Sequence, residues 1–301
     1  MQLTEQQLVT WSHQGAVTTA KSTADSIKNS LTSSSRLYGK NFEVYLQGSY
    51  KNDTNIRGDS DVDVVAQLNS TICQETSRLS PLERLAVSLP IASYRWEHFR
   101  DDVYGALCAA YGPVNVTMSR NCIKVKGGSG RLPADIVPSI LYRRYTASAI
   151  WVDGIWFYSP SNGGSVVNYP KQHYDNGVSK NGVLQTNGWY KPTVRMFKNA
   201  RSYLVSRGAI TQALAPSYFL ESLIYNVPSD RFGTSYRATY RAVVDWLRDI
   251  LDGNNVIVSP LSPLTCQNGQ LPLFGTSPQQ WNIADAQRLI SALIDLWNGQ
   301  Y

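Results

Sequence analysis

Hydrophobic periodicity divides the chain into a mixed first part and a helical second part. Apolar residues recur at helical spacing from about Thr4 to Leu31, and again around residues 81–89 and 96–111, which predicts helices there. Runs rich in β-branched and aromatic residues predict strands. Those runs are NFEVYLQGSY, SDVDVVAQL, NCIKVKG, RLPADIVPSI, GIWFYSP and SVVNYP. Glycine-rich turns at residues 127–130 and 161–164 are typical of hairpins, so we expect a mixed sheet of at least five strands before residue 170.

The second part of the chain has helical periodicity beyond a polar, Gly/Asn-rich segment at residues 173–188. Helices are predicted at residues 192–207, 216–226, 236–251 and 281–297. Residues 252–278 are expected to form an excursion or a poorly ordered connection. The pattern predicts an α+β fold, with a mixed sheet and flanking helices in residues 1–170 and an α-helical domain in residues 171–301.

Composition favours a soluble, intracellular protein. At 301 residues, the chain is long enough for one large domain or two moderate ones. It has no run of the roughly 18 to 20 apolar residues that spans a membrane, and its N-terminus is too polar for a signal-peptide core. The four cysteines are scattered without zinc-site spacing, which fits reduced thiols in a cytosol.

Positive charge is concentrated in one segment. The net charge is +6, and seven basic residues stand against one acid between Lys171 and Arg207. Arg195, Lys198 and Arg201 recur every three residues, so they lie near one face of a helix. This pattern fits contact with a polyphosphate or a nucleic-acid backbone, or else an ordinary solvated helix face.

An Asp-Val-Asp sequence is the strongest chemical signal. Side chains alternate along a strand, so Asp61 and Asp63 project to the same side. Carboxylates this close repel each other unless a cation lies between them, and Mg²⁺ prefers such oxygen ligands. Asp135, in a strand-like run, is the best third carboxylate for a two-metal site that transfers a phosphoryl group. The alternative is that these acids only keep a turn and a strand edge soluble.

Gly48 and Ser49 come shortly before that sequence and precede a turn. Glycine permits close approach to a phosphate, while backbone amides and the Ser49 hydroxyl can donate to it. Gln47 can contact phosphate or cap the turn. Asn168 ends a predicted strand, and its amide can read a base edge or form a turn before Tyr-Pro.

These segments resemble DNA polymerase β-type nucleotidyltransferases, and most closely the cGAS/DncV-like group, the CD-NTases of bacterial CBASS anti-phage systems. The resemblance covers roughly residues 40–230 and is carried by QGSYKNDTNIRGDSDVDVVAQL, LPADIVPSI, NYPKQHYDNGVSKN, YKPTVRMFKNAR and PSYFLESLIYNVP. It implies catalytic, metal-binding roles for Asp61, Asp63 and Asp135, and a triphosphate contact for Ser49. It also implies that Lys198 and Ser217 reach the donor triphosphate and that Tyr218 stacks on a base. From the residues alone, Ser217 at a helix start suits an anion, and Tyr218 can equally belong to the core.

The resemblance implies a cytoplasmic bacterial enzyme that condenses NTPs (ATP, GTP, UTP or CTP) into a cyclic di- or trinucleotide messenger. Two Mg²⁺ ions, with Mn²⁺ able to substitute, would be its cofactors, and residues 171–301 would close the nucleotide cleft. We expect a monomer with no membrane contact, whose product acts on an effector protein. The chain lacks the His/Cys insertion of the animal DNA sensor, so activation by long double-stranded DNA is not expected.

Two other functions remain open on the sequence. One is template-independent transfer of nucleotides to RNA or to a small acceptor. The other is a catalytically silent nucleotide-binding module. The sequence leaves open which bases are joined, the linkage, the ring size, the trigger and the oligomeric state.

Overall fold

The structure is a computed structural model that describes residues 3–57, 61–160, 164–252, 264–277 and 280–301. Contacts divide these residues into two compact units. The sheet unit contains residues 16–50, 61–160 and 164–170, and the helical unit contains residues 3–15, 51–57 and the described residues from 171 onward. None of the helices in these ranges has both the length and the apolar character that crossing a membrane requires.

The described residues form seven strands and ten α-helices. The strands are β1 (Phe42–Leu46), β2 (Val62–Glu75), β3 (Val116–Met118), β4 (Ile123–Val125), β5 (Ala134–Ala147), β6 (Ile150–Ser159) and β7 (Gly164–Asn168). The helices are α1 (Glu5–Ser12), α2 (Thr18–Thr32), α3 (Gly48–Asn52), α4 (Pro81–Ala86), α5 (Trp96–Tyr111), α6 (Pro170–Asn181), α7 (Tyr190–Ser206), α8 (Ser217–Tyr225), α9 (Tyr236–Leu251) and α10 (Ile283–Trp297).

One mixed sheet forms the centre of the sheet unit. Its order is β1-β2-β5-β4-β3, and β6 pairs with both β5 and β7. The β2 and β5 strands are parallel, while the other described pairs are antiparallel. Val62, Val64 and Ile136 are buried in a core that α2 and α5 share with the sheet. Because side chains alternate along a strand, the residues between these positions lie on the other face.

The helical unit is built around α7. Val194, Phe197 and Leu204 recur at helical spacing and are buried, and the Phe197 ring stacks on Tyr240 of α9 at 4.8 Å. Leu8 of α1 belongs to the same core. Residues 3–15 therefore group with the helices, whereas the sequence placed the whole of residues 1–170 in one domain. Apolar side chains near the N-terminus could not reveal in advance which core they would join.

The α6 helix differs from the sequence-based expectation. The polar segment at residues 173–188 lies outside the helices that the sequence predicts, but its first half is helical through Asn181. Tertiary packing outweighs the weak helix propensity of Asn, Asp and Gly here. His173 is buried, and a side chain at Gly177 would collide with the Gln267 side chain, so only glycine allows this close packing.

The predicted turns and loop have three outcomes. The first hairpin is confirmed, since β4 and β5 are antiparallel and Gly128 bridges to Arg131. The second pair of strands, β6 and β7, is also antiparallel, but residues 161–163 of its turn lie outside the described residues. Much of the loop predicted at residues 252–278 lies outside them too. Its described part contains Cys266 and Asn268, both buried, so this part packs closely.

Candidate active site

Three carboxylates lie at the beginning of two neighbouring parallel strands. Asp63 of β2 and Asp135 of β5 are register partners. Neighbouring strands are about 4.8 Å apart, and register partners of a parallel pair project to the same face. Asp61 is exposed and precedes Asp63 by two residues, just before β2 begins. In extended chain it shares the face of Asp63. The acidic side chains identified in the sequence are therefore gathered on one face of the sheet.

The negative charge of these carboxylates raises the pKa of two residues close to β5, Lys124 and Cys122. Lys124 is the register partner of Asp135, and its Nζ atom lies 3.4 Å from Asp135 Oδ2. The charge of Asp135 raises the pKa of Lys124, with a smaller contribution from Asp61. Burial, followed by the charge of Asp135, raises the pKa of Cys122 to about 12, and Asp63 contributes to the same rise. All three carboxylates thus act on one small region.

The chain turns sharply beside Asp63, immediately after β1. The Gln47 backbone amide donates a hydrogen bond to the Asp63 backbone carbonyl at 3.0 Å. Gly48 then has a φ of +67°, and a Cβ atom at this position would overlap the Asp63 carboxylate. The close approach that glycine permits is therefore made to Asp63. Within the described residues the Ser49 hydroxyl has no hydrogen-bond partner, so it is available to a phosphate oxygen.

The side chains at this site are of the chemical type that binds a divalent cation. Carboxylate oxygens are the ligands that Mg²⁺ prefers. Asp63 and Asp135 supply them from one face of the sheet, and Asp61 lies just before β2 begins. Among the described residues, no group of three or more His, Cys, Asp or Glu side chains already surrounds a metal position. The Lys124 ammonium supplies the positive charge beside Asp135 in this arrangement.

Lys198 of α7 lies inside the helical unit. It is fully buried, and its Nζ atom donates to the Thr54 carbonyl at 2.9 Å and lies 3.7 Å from Glu221 Oε1. The Thr54 hydroxyl donates to the same carboxylate at 2.7 Å. In this arrangement Lys198, for which a triphosphate contact is expected, is held by the Glu221 carboxylate and by the backbone at Thr54.

Arg195 and Arg201, which the sequence places near the same helix face as Lys198, also bind backbone oxygens. Arg195 donates to the carbonyls of Ser12 and Asp53, and Arg201, which is buried, donates to the Ala215 carbonyl. A solvated helix face is excluded for Lys198 and Arg201 by their burial. These cations hold together chain segments that are distant in sequence.

Ser217 and Tyr218 begin α8. Within the described part of the chain, the Ser217 hydroxyl has no recorded partner, and it lies at a helix N-terminus, which favours anions. The Tyr218 ring is nearly parallel to His173 at 5.0 Å and to Trp281 at 5.8 Å. Its hydroxyl accepts a hydrogen bond from Asn268 at 2.9 Å. Tyr218 is thus half-buried in an aromatic stack.

Asn168 is the last residue of β7 and pairs in register with Ile155. Its Oδ1 atom accepts a hydrogen bond from the Tyr169 amide at 2.8 Å, which is the turn-forming role considered from the sequence. The Nδ2 group has no recorded partner among the described residues, so it remains available as a donor.

Comparisons with known proteins identify the family. A sequence model described as "cGAS/DncV-like nucleotidyltransferase C-terminal helical domain" matches residues 175–298. A protein named cyclic UMP-AMP synthase, from Rhodothermus marinus (strain SG0.5JP17-172), is 48% identical over 99% of this chain and 99% of its own length. The chain belongs to the cGAS/DncV-like nucleotidyltransferases. Within this family, cyclic nucleotide synthase CdnE01 from Staphylococcus haemolyticus is 38% identical over 96% of each chain.

A solved structure of the same family confirms the fold. The structure of Rhodothermus marinus CdnE c-UMP-AMP synthase with Apcpp and Upnpp matches 99% of this chain and 97% of that chain, with a TM-score of 0.87 and 46% identity. The α+β fold with a C-terminal helical domain is therefore established. This cGAS/DncV-like enzyme is a nucleotidyltransferase that makes a cyclic nucleotide from NTPs, in a family that generally depends on divalent metal ions.

Sequence reasoning missed one residue of this cGAS/DncV-like enzyme, Glu221. Its carboxylate contacts Lys198, Thr54 and His173, whose Nε2 lies 3.3 Å from Oε2. Burial by itself would raise the pKa of Glu221, but the hydrogen bond with His173 and the charge of Lys198 outweigh it and lower the pKa.

A sequence signal for Glu221 existed. It is the only charged residue of α8, a helix that otherwise consists of Ser and apolar or aromatic residues. A charged side chain in such a helix needs a buried partner of opposite charge. Which partner it has could not be seen from the sequence.

Proposed function

We propose that the enzyme uses Asp61, Asp63 and Asp135 to hold two Mg²⁺ ions while it joins two NTPs. The observation that carries this proposal is the parallel register of Asp63 with Asp135, beside the turn at Gly48. When bound, such ions assist an attacking hydroxyl and neutralise the leaving pyrophosphate, and Mn²⁺ can replace Mg²⁺.

The reaction needs a proton acceptor and an oriented triphosphate. A sugar hydroxyl of one nucleotide attacks the α-phosphorus of the other, pyrophosphate leaves, and a second round closes the ring. Asp135 takes up the proton of the attacking hydroxyl. Support for this role comes from its position as the register partner of Asp63, on the same face of the sheet.

Two hydroxyls that have no hydrogen-bond partner among the described residues support the assignment of triphosphate contacts. Ser49, beside Asp63, and Ser217, at the start of α8, can both donate to phosphate oxygens. Lys198 and Arg195 are assigned to the donor triphosphate for their positive charge, and the Gln47 backbone amide fixes the turn after β1.

Base recognition is assigned to Tyr218 and Asn168. The Tyr218 ring would stack on a base, with His173 and Trp281 holding its orientation. The Asn168 Nδ2 group would donate to a base carbonyl, which both uracil and guanine possess. Because the relative that is 48% identical is named a cyclic UMP-AMP synthase, we propose UTP and ATP as substrates and a cyclic dinucleotide that acts on an effector protein.

Product analysis tests this function. We expect purified enzyme with Mg²⁺ and all four NTPs to form a phosphatase-resistant product that contains UMP and AMP, identified by mass spectrometry. UTP and ATP together should suffice. A product that requires added RNA or a small-molecule acceptor would contradict cyclisation and favour nucleotidyl transfer to that acceptor. No product under any of these conditions would contradict the proposed substrates.

A further inference from the structure

One edge of β5 is open between two neighbouring strands. On this edge β5 pairs with β4 through residues 134–136 and with β6 from Ile140 onward. Residues 137–139 have no partner there among the described strands, and Pro138 lacks the amide proton that pairing requires. The Trp96 indole donates to the Pro138 carbonyl at 2.8 Å, so this polar group is satisfied without a strand.

The opening contains a cavity of about 170 Å³, which we call the sheet-edge cavity. A dry cavity of roughly 150 Å³ accommodates benzene, so one flat heterocyclic ring fits here. The residues that matter for its chemistry are Trp96, Met118, Arg120, Cys122, Pro138 and Tyr158. The Trp96 and Tyr158 rings lie 6.2 Å apart and are tilted by 55°, so they pack on each other. Tyr158 is the more exposed of the two and offers its ring to an occupant.

The cavity has one uncommitted cation. Arg100 also lines it, but its guanidinium is ion-paired with Asp101 at 2.7 Å and lies over the Trp96 ring. Arg120 has no hydrogen bond or ion pair with any described residue, and neither does the Tyr158 hydroxyl, on a side chain that is 47% exposed. A free guanidinium beside aromatic rings is the combination that binds a planar base together with a phosphate.

The cavity also adjoins the residues beside the catalytic carboxylates. Ile123 lines it and is buried in the core beneath α5, whereas Lys124 pairs with Asp135 on the opposite face. Cys122 lines the cavity as well, and it immediately precedes β4. An occupant would therefore press on the short strand that positions Lys124 against Asp135.

We propose that the sheet-edge cavity is a second nucleotide site, which takes the pyrimidine base of a nucleoside monophosphate against the Tyr158 ring and its phosphate on Arg120. Occupancy changes the rate of synthesis through β4. Binding is independent of the proposed function, whereas the effect on rate rests on it.

Calorimetric titration of the full chain with UMP, whose base is a single ring, tests the site. EDTA is included so that divalent ions do not recruit the probe to the carboxylates. We expect Arg120→Ala and Tyr158→Ala each to weaken binding about tenfold or more. Asp63→Asn and the control Arg78→Ala, an exposed arginine outside the cavity, should leave binding unchanged. Arg120 is exposed, so its removal should preserve the fold.

Two outcomes would overturn the second site. The first is no binding by the unaltered chain up to about 1 mM probe. The second is binding that Asp63→Asn abolishes while Arg120→Ala retains it, because the monophosphate would then occupy only the catalytic site. The rate of synthesis with and without the probe is measured in parallel. Binding without any synthesis would contradict the proposed function and leave the cavity assignment standing.

Discussion

Asp63→Asn is expected to lower kcat for nucleotide joining about a thousandfold. The substitution removes one carboxylate of the group at which divalent ions are proposed to bind, and such ions contribute several kcal/mol to the transition state. Asp63 is half-buried and lies next to other acids, so loss of its charge should also relieve repulsion. The measurement is the steady-state rate of cyclic product formation at saturating NTP and Mg²⁺.

A matched carboxylate on the surface controls for the charge change. Asp101→Asn alters an exposed side chain of α5 that pairs with Arg100, so it should retain the activity of the unaltered enzyme. Thermal unfolding of Asp63→Asn should occur within about 4 °C of the unaltered chain. Activity of Asp63→Asn within about tenfold of the unaltered enzyme would remove Asp63 from the catalytic group.

Glu221→Gln is expected to produce the largest loss of stability. It leaves the Lys198 ammonium buried without its neighbouring carboxylate, and breaking a buried ion pair costs about 3–5 kcal/mol. The unfolding temperature should fall by about 10 °C. Calorimetry of the full chain measures this, with exposed Glu97→Gln as a control that should change stability by no more than about 1 kcal/mol.

The pH dependence separates the Glu221 charge from a packing defect. Its pKa is lowered in the folded protein, so the stability that its charge contributes is fully present above the ordinary Glu pKa of about 4.3. That contribution is lost as the pH falls through the lower, folded pKa. The difference in unfolding free energy between the unaltered chain and Glu221→Gln should therefore shrink in strong acid. A difference that stays constant would mean that shape, and not charge, is responsible.

The cluster of three aspartates could be predicted from the sequence because much of its geometry is local. Side chains two residues apart in an extended chain project to the same side, so the sequence predicts that Asp61 and Asp63 lie together wherever this segment is placed. The later strand that carries Asp135 then needed only to be a neighbour, and the register of β2 with β5 shows that it is. The residue type alone predicts a close approach at Gly48, although the group that it approaches in the structure is the Asp63 carboxylate and not a phosphate.

The surroundings of Lys198 could not be predicted in the same way. Helical spacing correctly placed Arg195, Lys198 and Arg201 near one another, but it contained no information on what would cover them. Lys198 binds Thr54 across 144 positions of sequence, and the Thr54–Glu221 bond spans 167. Such partners are decided by how distant segments pack, and the same cause made α6 a helix against its local propensity.

Anomalous diffraction from crystals of the chain with Mn²⁺ and a non-hydrolysable ATP analogue would test the metal site most directly. We expect two Mn²⁺ peaks about 4 Å apart, both within bonding distance of Asp61 and Asp63, with Asp135 on one of them. Nucleotide bound in the crystal with no Mn²⁺ at these three carboxylates would contradict the proposed catalytic group.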